Sequence, residues 1–145
     1  MQAVLEKLAE RVKHEPFAQL LGMELRDIGQ GYAVVEMQLR PQMENIYGMA
    51  HGGAIFALVD EAFELASNSH GTVAVALNMN ITYISPPHSG ATLRAEAKEI
   101  SLTRRTASYL ITVTDESGTL LSTCQALVYR KGERIPFLEK ANEGS

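Results

Sequence analysis

The sequence contains one cysteine and no tryptophan. The lone Cys124 excludes an internal disulfide and a cysteine-based metal cluster, and it fits a reducing compartment. Acidic residues outnumber basic ones by 17 to 13, for a formal net charge of −4. The chain therefore lacks the basic field typical of proteins that bind nucleic acids or anionic membranes.

Long hydrophobic runs are also missing. No apolar stretch approaches the roughly 18 residues of a membrane-spanning helix. The N-terminus, MQAVLEKLAERVKHEPF, has charges every few residues, which is not the pattern of a signal peptide or an anchor. We therefore expect no membrane or nucleic-acid partner, and a cytoplasmic location by default.

The size and composition indicate one globular domain. The chain has 145 residues, of which 46% are hydrophobic and 21% charged, which is ordinary for such a domain. We expect a single domain over 1–145, with an N-terminal helical segment over 1–22 and a flexible tail over 135–145.

Hydrophobic periodicity predicts the elements. An amphipathic helix is expected in 1–13, and a second short helix follows Pro16 and stops near Gly22. Segment 32–39 alternates as a strand does. The longest helical pattern follows His51-Gly52-Gly53, is apolar nearly all round and should be buried on most faces. Four extended segments come after it, which predicts an α+β fold with an antiparallel sheet around that helix.

The two glycines at the start of the long helix are the first candidate site. The first N–H groups of a helix have no partner within it, and the helix dipole makes that end partly positive. Because glycine lets a ligand approach the backbone closely, an N–H of Gly52 or Gly53 is suited to holding an oxyanion. The alternative is that the glycines only make a tight strand-to-helix turn.

Asp60 is the second candidate, because a carboxylate in an apolar helix is costly unless it is paired or exposed. It follows Gly52 by eight residues, which is roughly 12 Å along a helix. Within one chain the two cannot contact the same carbonyl. A second subunit with its helix antiparallel would bring its own Gly52 opposite this Asp60. The alternative is a solvated stripe that Asp60 shares with Glu61 and Glu64.

Other polar residues give weaker signals. His51 is a candidate base or ligand, or else a donor that holds a turn. The histidines are spread over different elements without metal-ligand spacing, so we expect no metal. Asn45 lies in a predicted loop. Arg104 and Arg105, near Ser101, form either a solvated turn or a phosphate site. Cys124 is expected to be a small core residue.

The combination Asn45-x5-His51-Gly52-Gly53-x6-Asp60, followed by NMNITYISPPHSG, resembles the hotdog-fold thioesterases of the phenylacetate-degradation (PaaI-like) group. The resemblance runs from about Phe17 to Arg130. It implies a long central helix wrapped by an antiparallel sheet of five to six strands. It also implies homodimers that pair into tetramers, and an acyl-CoA substrate bound at the dimer interface without a cofactor.

The same resemblance implies roles for individual residues. Asp60 would be the general base or the nucleophile, and the Gly52 N–H would bind the thioester oxygen. Asn45 and His51 would position the thioester or water. The implied substrate-binding residues are Gly53, Tyr83, Ser85, His88, Ser101, Arg104 and Arg105.

One position departs from the pattern. Related enzymes often carry a serine or threonine early in the strand after the helix, whereas the matching residue here is Ala76. A non-catalytic acyl-CoA binding protein of the same fold is therefore the alternative to a thioesterase. A hotdog hydratase or dehydratase is a further alternative, but the Asp/His dyad on which those enzymes generally rely is not found.

Overall fold

A computed structural model describes residues 1–139 of the protein. It contains four α-helices and six strands: α1 (Gln2–Val12), α2 (Pro16–Leu21), β1 (Glu24–Gly29), β2 (Tyr32–Gln38), α3 (Gly52–Asn68), β3 (Thr72–Tyr83), β4 (Thr92–Leu102), β5 (Thr106–Thr114), β6 (Leu120–Arg134) and α4 (Pro136–Glu139). The strands form one antiparallel sheet in the order β1-β2-β4-β5-β6-β3. The expected α+β architecture with a six-stranded sheet is confirmed.

The core lies between α3 and the sheet. Because α3 is apolar on nearly every side, it packs against β2, β3, β4 and β5 together. Leu58, Val59 and Ala62 are completely buried. The ring of Phe63 meets that of Tyr109 edge to face at 5.6 Å between centroids, the geometry that the charge distribution of aromatic rings favours.

The N-terminal helices form where the periodicity predicts them. The α2 helix begins at Pro16, a residue suited to the first turn because it has no N–H to leave unpaired. It ends at Gly22, which takes the left-handed conformation (φ 69°) that glycine adopts most easily. Together α1 and α2 lie beside the central helix and leave a cavity between them.

Two parts of the chain differ from the expectation. Strand β1, with the sequence ELRDIG, escapes prediction because a bulge between Leu25 and Asp27 interrupts its alternation. The predicted flexible tail starts too early at residue 135. Ile135 and Leu138 are buried, and the Ile135 N–H donates to the Gly71 carbonyl at 3.0 Å. Residues 140–145 of that segment lie outside the described part of the chain.

Strand β3 forms one edge of the sheet, and its sequence TVAVALNMNITY contains no charged residue. Among residues 1–139 it pairs only with β6. The opposite edge strand, β1, carries Arg26 between Glu24 and Glu36. Charges of this kind protect edge strands against pairing with other chains, so β3 is the unprotected edge. No helix among residues 1–139 is both long and apolar enough to cross a membrane.

The packing of α3 predicts the effect of a truncation in its centre. Leu58→Ala should lower the free energy of unfolding by about 2–5 kcal/mol, because it leaves a cavity in a closed core. The matched change Leu20→Ala, at a side chain that is 67% exposed, should stay within about 0.5 kcal/mol of the parent. Urea unfolding followed by circular dichroism measures both, and equal losses would contradict the described core.

Candidate functional site

The start of α3 is held by the side chain of His51. This residue precedes the helix in an extended conformation, and its Nδ1 accepts a hydrogen bond from the Gly53 N–H at 2.8 Å. It therefore serves as the N-cap of the helix. The Gly52 N–H has no acceptor within residues 1–139, so one backbone donor at the positive end of the helix stays available for a ligand.

Gly52 is enclosed by Tyr83, the last residue of β3. The Tyr83 hydroxyl donates to the Gly52 carbonyl at 2.9 Å. A Cβ atom at position 52 would lie 3.3 Å from the tyrosine ring and hydroxyl. This close approach gives a packing reason for glycine here, in addition to the access that it leaves to the backbone.

Asn45 shapes the loop that leads to α3. Its Oδ1 accepts from the N–H groups of Tyr47 at 2.9 Å and Met49 at 3.1 Å, as an asparagine does in a turn. The loop is closed by a bridge between Glu44 and Ala50. At its tip, Ile46 is 92% exposed, an unusual exposure for a large apolar side chain in a well-ordered turn.

A cavity of about 700 Å³ lies between the N-terminal helices, α3 and β3. Asp60 and Ala76 both line it, so the alanine and the candidate carboxylate face the same cavity. Gly52, His51 and Asn45 are not among its lining residues, as the eight-residue separation on one helix requires. One chain therefore presents the carboxylate and the oxyanion donor at separate places.

Three glutamates form an acidic cluster at this cavity: Glu15, Glu61 and Glu64. One carboxylate oxygen from each lies within 4.8 Å of the other two. The exposure of Asp60 and Glu64 in this chain fits the expected alternative, a solvated stripe. It is wrong for Glu61, which is 4% exposed and whose Oε1 has no hydrogen-bond partner within the described residues. The reason is that the α1–α2 segment covers this side of α3.

Burial, together with the neighbouring negative charges, raises the pKa of three carboxyl groups at this cavity. Desolvation, followed by repulsion from Glu15, raises the pKa of Asp60. Desolvation, followed by interaction with the nearby Glu15 carboxyl group, raises the pKa of Glu61 to about 10. For Glu64, desolvation and repulsion from Glu15 raise the pKa to about 7. The carboxyl groups near Asp60 thus tend to hold protons near neutrality.

Sequence reasoning does not predict the acidic cluster as a unit. The sequence does indicate that Glu61 and Glu64 lie together, because they are three residues apart and so share a helix face. The third member, Glu15, lies 46 residues before Glu61, and only the tertiary fold brings it there.

The other candidate residues lie away from Asp60. Ser85 donates to the Leu120 carbonyl at 2.8 Å, and His88 pairs with Glu116 at the surface. The hydroxyls of Ser101 and Ser108 are 2.7 Å apart. Arg104 and Arg105 lie on the turn between β4 and β5, where Arg105 donates to the Tyr129 hydroxyl at 3.0 Å.

Cys124 is buried in strand β6. Burial raises the pKa of its thiol, mainly through desolvation. A buried thiol that resists ionisation is a poor nucleophile, which agrees with the expected role as a small core residue.

A family model described as the thioesterase superfamily matches residues 47–122, more than half of the chain. This protein therefore belongs to the thioesterase superfamily. The match covers the Asn45–Asp60 segment from Tyr47 onward, together with β3, β4 and β5.

Individual relatives refine the comparison. The acyl-coenzyme A thioesterase PaaI of Escherichia coli is 32% identical over 123 residues, covering 85% of this chain and 88% of that protein. The structure of E. coli PaaI superposes with a TM-score of 0.88 over 92% of this chain and 97% of that one, at 29% identity. The chain thus has the hotdog fold and resembles the PaaI group.

Two further solved structures are similar. The TT0310 protein of Thermus thermophilus is 41% identical, with a TM-score of 0.77 over 80% of this chain and 97% of that one. A Streptococcus mutans protein solved with acetyl CoA bound is 28% identical, with a TM-score of 0.75 over 78% of this chain and 91% of that one.

The capping role of His51 is testable by stability alone. His51→Ala removes the acceptor for the Gly53 N–H and should lower the free energy of unfolding by about 0.5–2 kcal/mol. His51→Asn should keep stability within a few tenths of a kcal/mol of the parent, because asparagine is a strong N-cap. Chemical denaturation compares the three proteins. If alanine and asparagine behave alike, the cap contributes nothing.

Proposed function

We propose that this protein hydrolyses acyl-CoA thioesters to the free acid and CoA. The observation that carries the proposal is the pair of groups on α3: a free Gly52 N–H at the helix start and Asp60 at the mouth of a 700 Å³ cavity. Membership of the thioesterase superfamily supports the reaction class. The name of the PaaI relative and the acetyl CoA bound to the S. mutans neighbour support the substrate class.

The active site is assembled from two subunits in this proposal. Gly52 and Asp60 are roughly 12 Å apart along one helix, too far to act on one carbonyl carbon. The uncharged edge strand β3 offers a place for a second copy to pair. The exposed side chains of Ile46, Tyr47 and Leu77 would be covered by such a partner. Pairing of these dimers into a tetramer is part of the same proposal.

The chemistry needs an acceptor for a proton and a donor for an oxyanion. The Gly52 N–H of one subunit donates to the thioester oxygen, which becomes negatively charged when the carbon is attacked. Asp60 of the other subunit takes a proton from the attacking water. When the tetrahedral intermediate collapses, the carbon–sulfur bond breaks and that proton passes to the departing thiolate.

Asp60 is also placed to act as the nucleophile. In that route its oxygen attacks the carbon, the thiolate leaves, and water then hydrolyses the mixed anhydride. The raised pKa of Asp60 supports the general-base route, because it makes the carboxylate a better proton acceptor.

The surrounding residues have supporting roles. His51 fixes the direction of the helix start and Asn45 fixes the loop before it, so both position the Gly52 N–H and the bound thioester. Gly53 and Tyr83 complete the helix start. We assign Arg104 and Arg105 to the CoA phosphates, since guanidinium groups bind phosphate oxygens well. Ser85, His88 and Ser101 complete the proposed substrate-binding residues.

Ala76 favours one competing function. It lines the same cavity as Asp60 and has no hydroxyl to orient water. A protein that binds acyl-CoA without hydrolysing it is therefore the second candidate.

Asp60→Asn should lower kcat by about 10²–10⁴-fold, because the amide accepts no proton from water. Purified protein is assayed with short-chain, medium-chain, long-chain and aryl-acetyl CoA thioesters, and released thiol is followed with a chromogenic disulfide. Asp27→Asn, at an exposed aspartate of β1, is the matched control and should retain full activity.

An enzyme-only trace corrects for reaction of Cys124 with the reagent. Full activity in Asp60→Asn would exclude the proposed role of the aspartate. Tight binding of one thioester by the parent protein without thiol release would favour the binding-protein candidate.

Gly52→Pro tests the oxyanion donor. Proline is tolerated at the first residue of a helix, where it removes the N–H and adds a side-chain ring, so kcat should fall by about 10²–10³-fold. Gly52→Ala introduces the same Cβ near Tyr83 but keeps the N–H, and it should retain most of the activity. If both variants lose activity equally, crowding against Tyr83 explains the loss and the oxyanion role is wrong.

The same two variants test the two-subunit site. Asp60→Asn and Gly52→Pro proteins are mixed, unfolded and refolded together. Random pairing restores one intact site in each hybrid dimer, or about a quarter of the parent activity. No recovery, with hybrid dimers shown by mass spectrometry, would place both groups of a site in one subunit.

A further inference from the structure

We propose that Glu15, Glu61 and Glu64 form a binding site for a divalent cation. The sequence-based expectation of no metal considered the histidines and the single cysteine. The cluster instead offers only carboxylate oxygens, which are the ligands of hard cations such as Ca²⁺, Mn²⁺ and Mg²⁺.

The geometry suits a cation of the calcium size. Three carboxylate oxygens, one from each glutamate, lie no more than 4.8 Å apart. Calcium binds oxygen at about 2.3–2.6 Å, so ligands on opposite sides of the ion are about 5 Å apart. The three oxygens therefore already fall within the shell of one such ion. Magnesium, which binds oxygen at about 2.0–2.1 Å, demands a tighter arrangement.

Glu61 provides an independent sign of a missing partner. The residue is only 4% exposed, and its Oε1 accepts no hydrogen bond within the described chain. A buried carboxylate oxygen without a donor is costly. Because Glu61 lines the cavity together with the other two glutamates, a bound ion would satisfy that oxygen.

The described part of the chain supplies no counter-ion for these carboxylates. None of the three glutamates forms a salt bridge within residues 1–139. Two basic side chains line the same cavity but are engaged elsewhere. His14 pairs with Glu10, and the Arg11 guanidinium lies over the Phe137 ring at 5.2 Å. Asp60 adds a fourth negative group to the cavity.

The ligands are carried by fixed parts of the backbone. Glu15 is the N-cap residue of α2 and is followed by Pro16, which restricts the conformation of both. Glu61 and Glu64 are three residues apart on α3 and so point from one helix face. The cavity is open to solvent, so water completes the coordination of the ion.

Direct binding tests the site independently of catalysis. Protein freed of metal with a chelator is titrated with CaCl₂, MnCl₂ and MgCl₂ by isothermal calorimetry at about pH 8, where protons compete less with the cation for the carboxylates than they do at lower pH. We expect saturable binding of one ion per chain, with Ca²⁺ or Mn²⁺ favoured over Mg²⁺. The thermal midpoint should rise with the concentration of the favoured ion.

Variants identify the ligands. Glu61→Gln and Glu64→Gln should each weaken binding by roughly tenfold or more, because the affinity of such sites follows ligand charge. Glu133→Gln, at an exposed glutamate near the end of β6, is the matched control and should bind like the parent. Thermal unfolding without metal verifies that each variant is folded.

The proposal is overturned if none of the three ions binds saturably in the millimolar range or below. It is also overturned if Glu61→Gln and Glu64→Gln bind as tightly as Glu133→Gln. Thioesterase activity is not needed for either readout, so the outcome does not depend on the proposed function.

Discussion

Burial of the 17-residue helix α3 is the constraint on which the rest of the molecule depends. The helix is apolar on nearly every side, so no single flat surface can cover it. The sheet covers most of its faces, and on the side that remains the α1–α2 segment and α3 line a cavity together. Each acidic residue of α3 must then emerge where that enclosure has a gap. Asp60, Glu61 and Glu64 all line the same cavity, which concentrates the acidic groups of the helix in one place.

The fold was largely predictable because its main signals are local. The start of α3 at Gly52, the end of α2 at Gly22 and the strand at 32–39 follow from periodicity and from glycine. What escaped prediction depends on distant contacts. Strand β1 has a bulged and charged sequence that is stabilised by its pairing with β2 and its contacts with α1 and α3. Segment 135–139 has no long pattern, and its order comes from burial against residues far away in the chain.

The candidate site likewise has features that the sequence predicts and features that only the fold reveals. The helix rise alone places Gly52 and Asp60 too far apart for one subunit, and no tertiary information is needed for that step. By contrast, the burial of Glu61 could not be read from a helix pattern that carries three acids in five residues. Its environment depends on Glu15, which the fold brings to it. Whether an acidic residue on a helix is buried or exposed can be judged only when the surface that packs against the helix is known.

The hydrogen bond between Tyr83 and Gly52 joins two regions that sequence alone would treat separately. Tyr83 ends the open edge strand, while Gly52 begins the helix. Tyr83 therefore links the surface where a second copy would pair to the peptide group that would hold the oxyanion. Position 52 has little room for a larger residue unless position 83 becomes smaller. A larger residue at position 52 would then require a compensating change at position 83. The register of β3 would thus be constrained by the chemistry at the start of α3 as well as by pairing with a second copy.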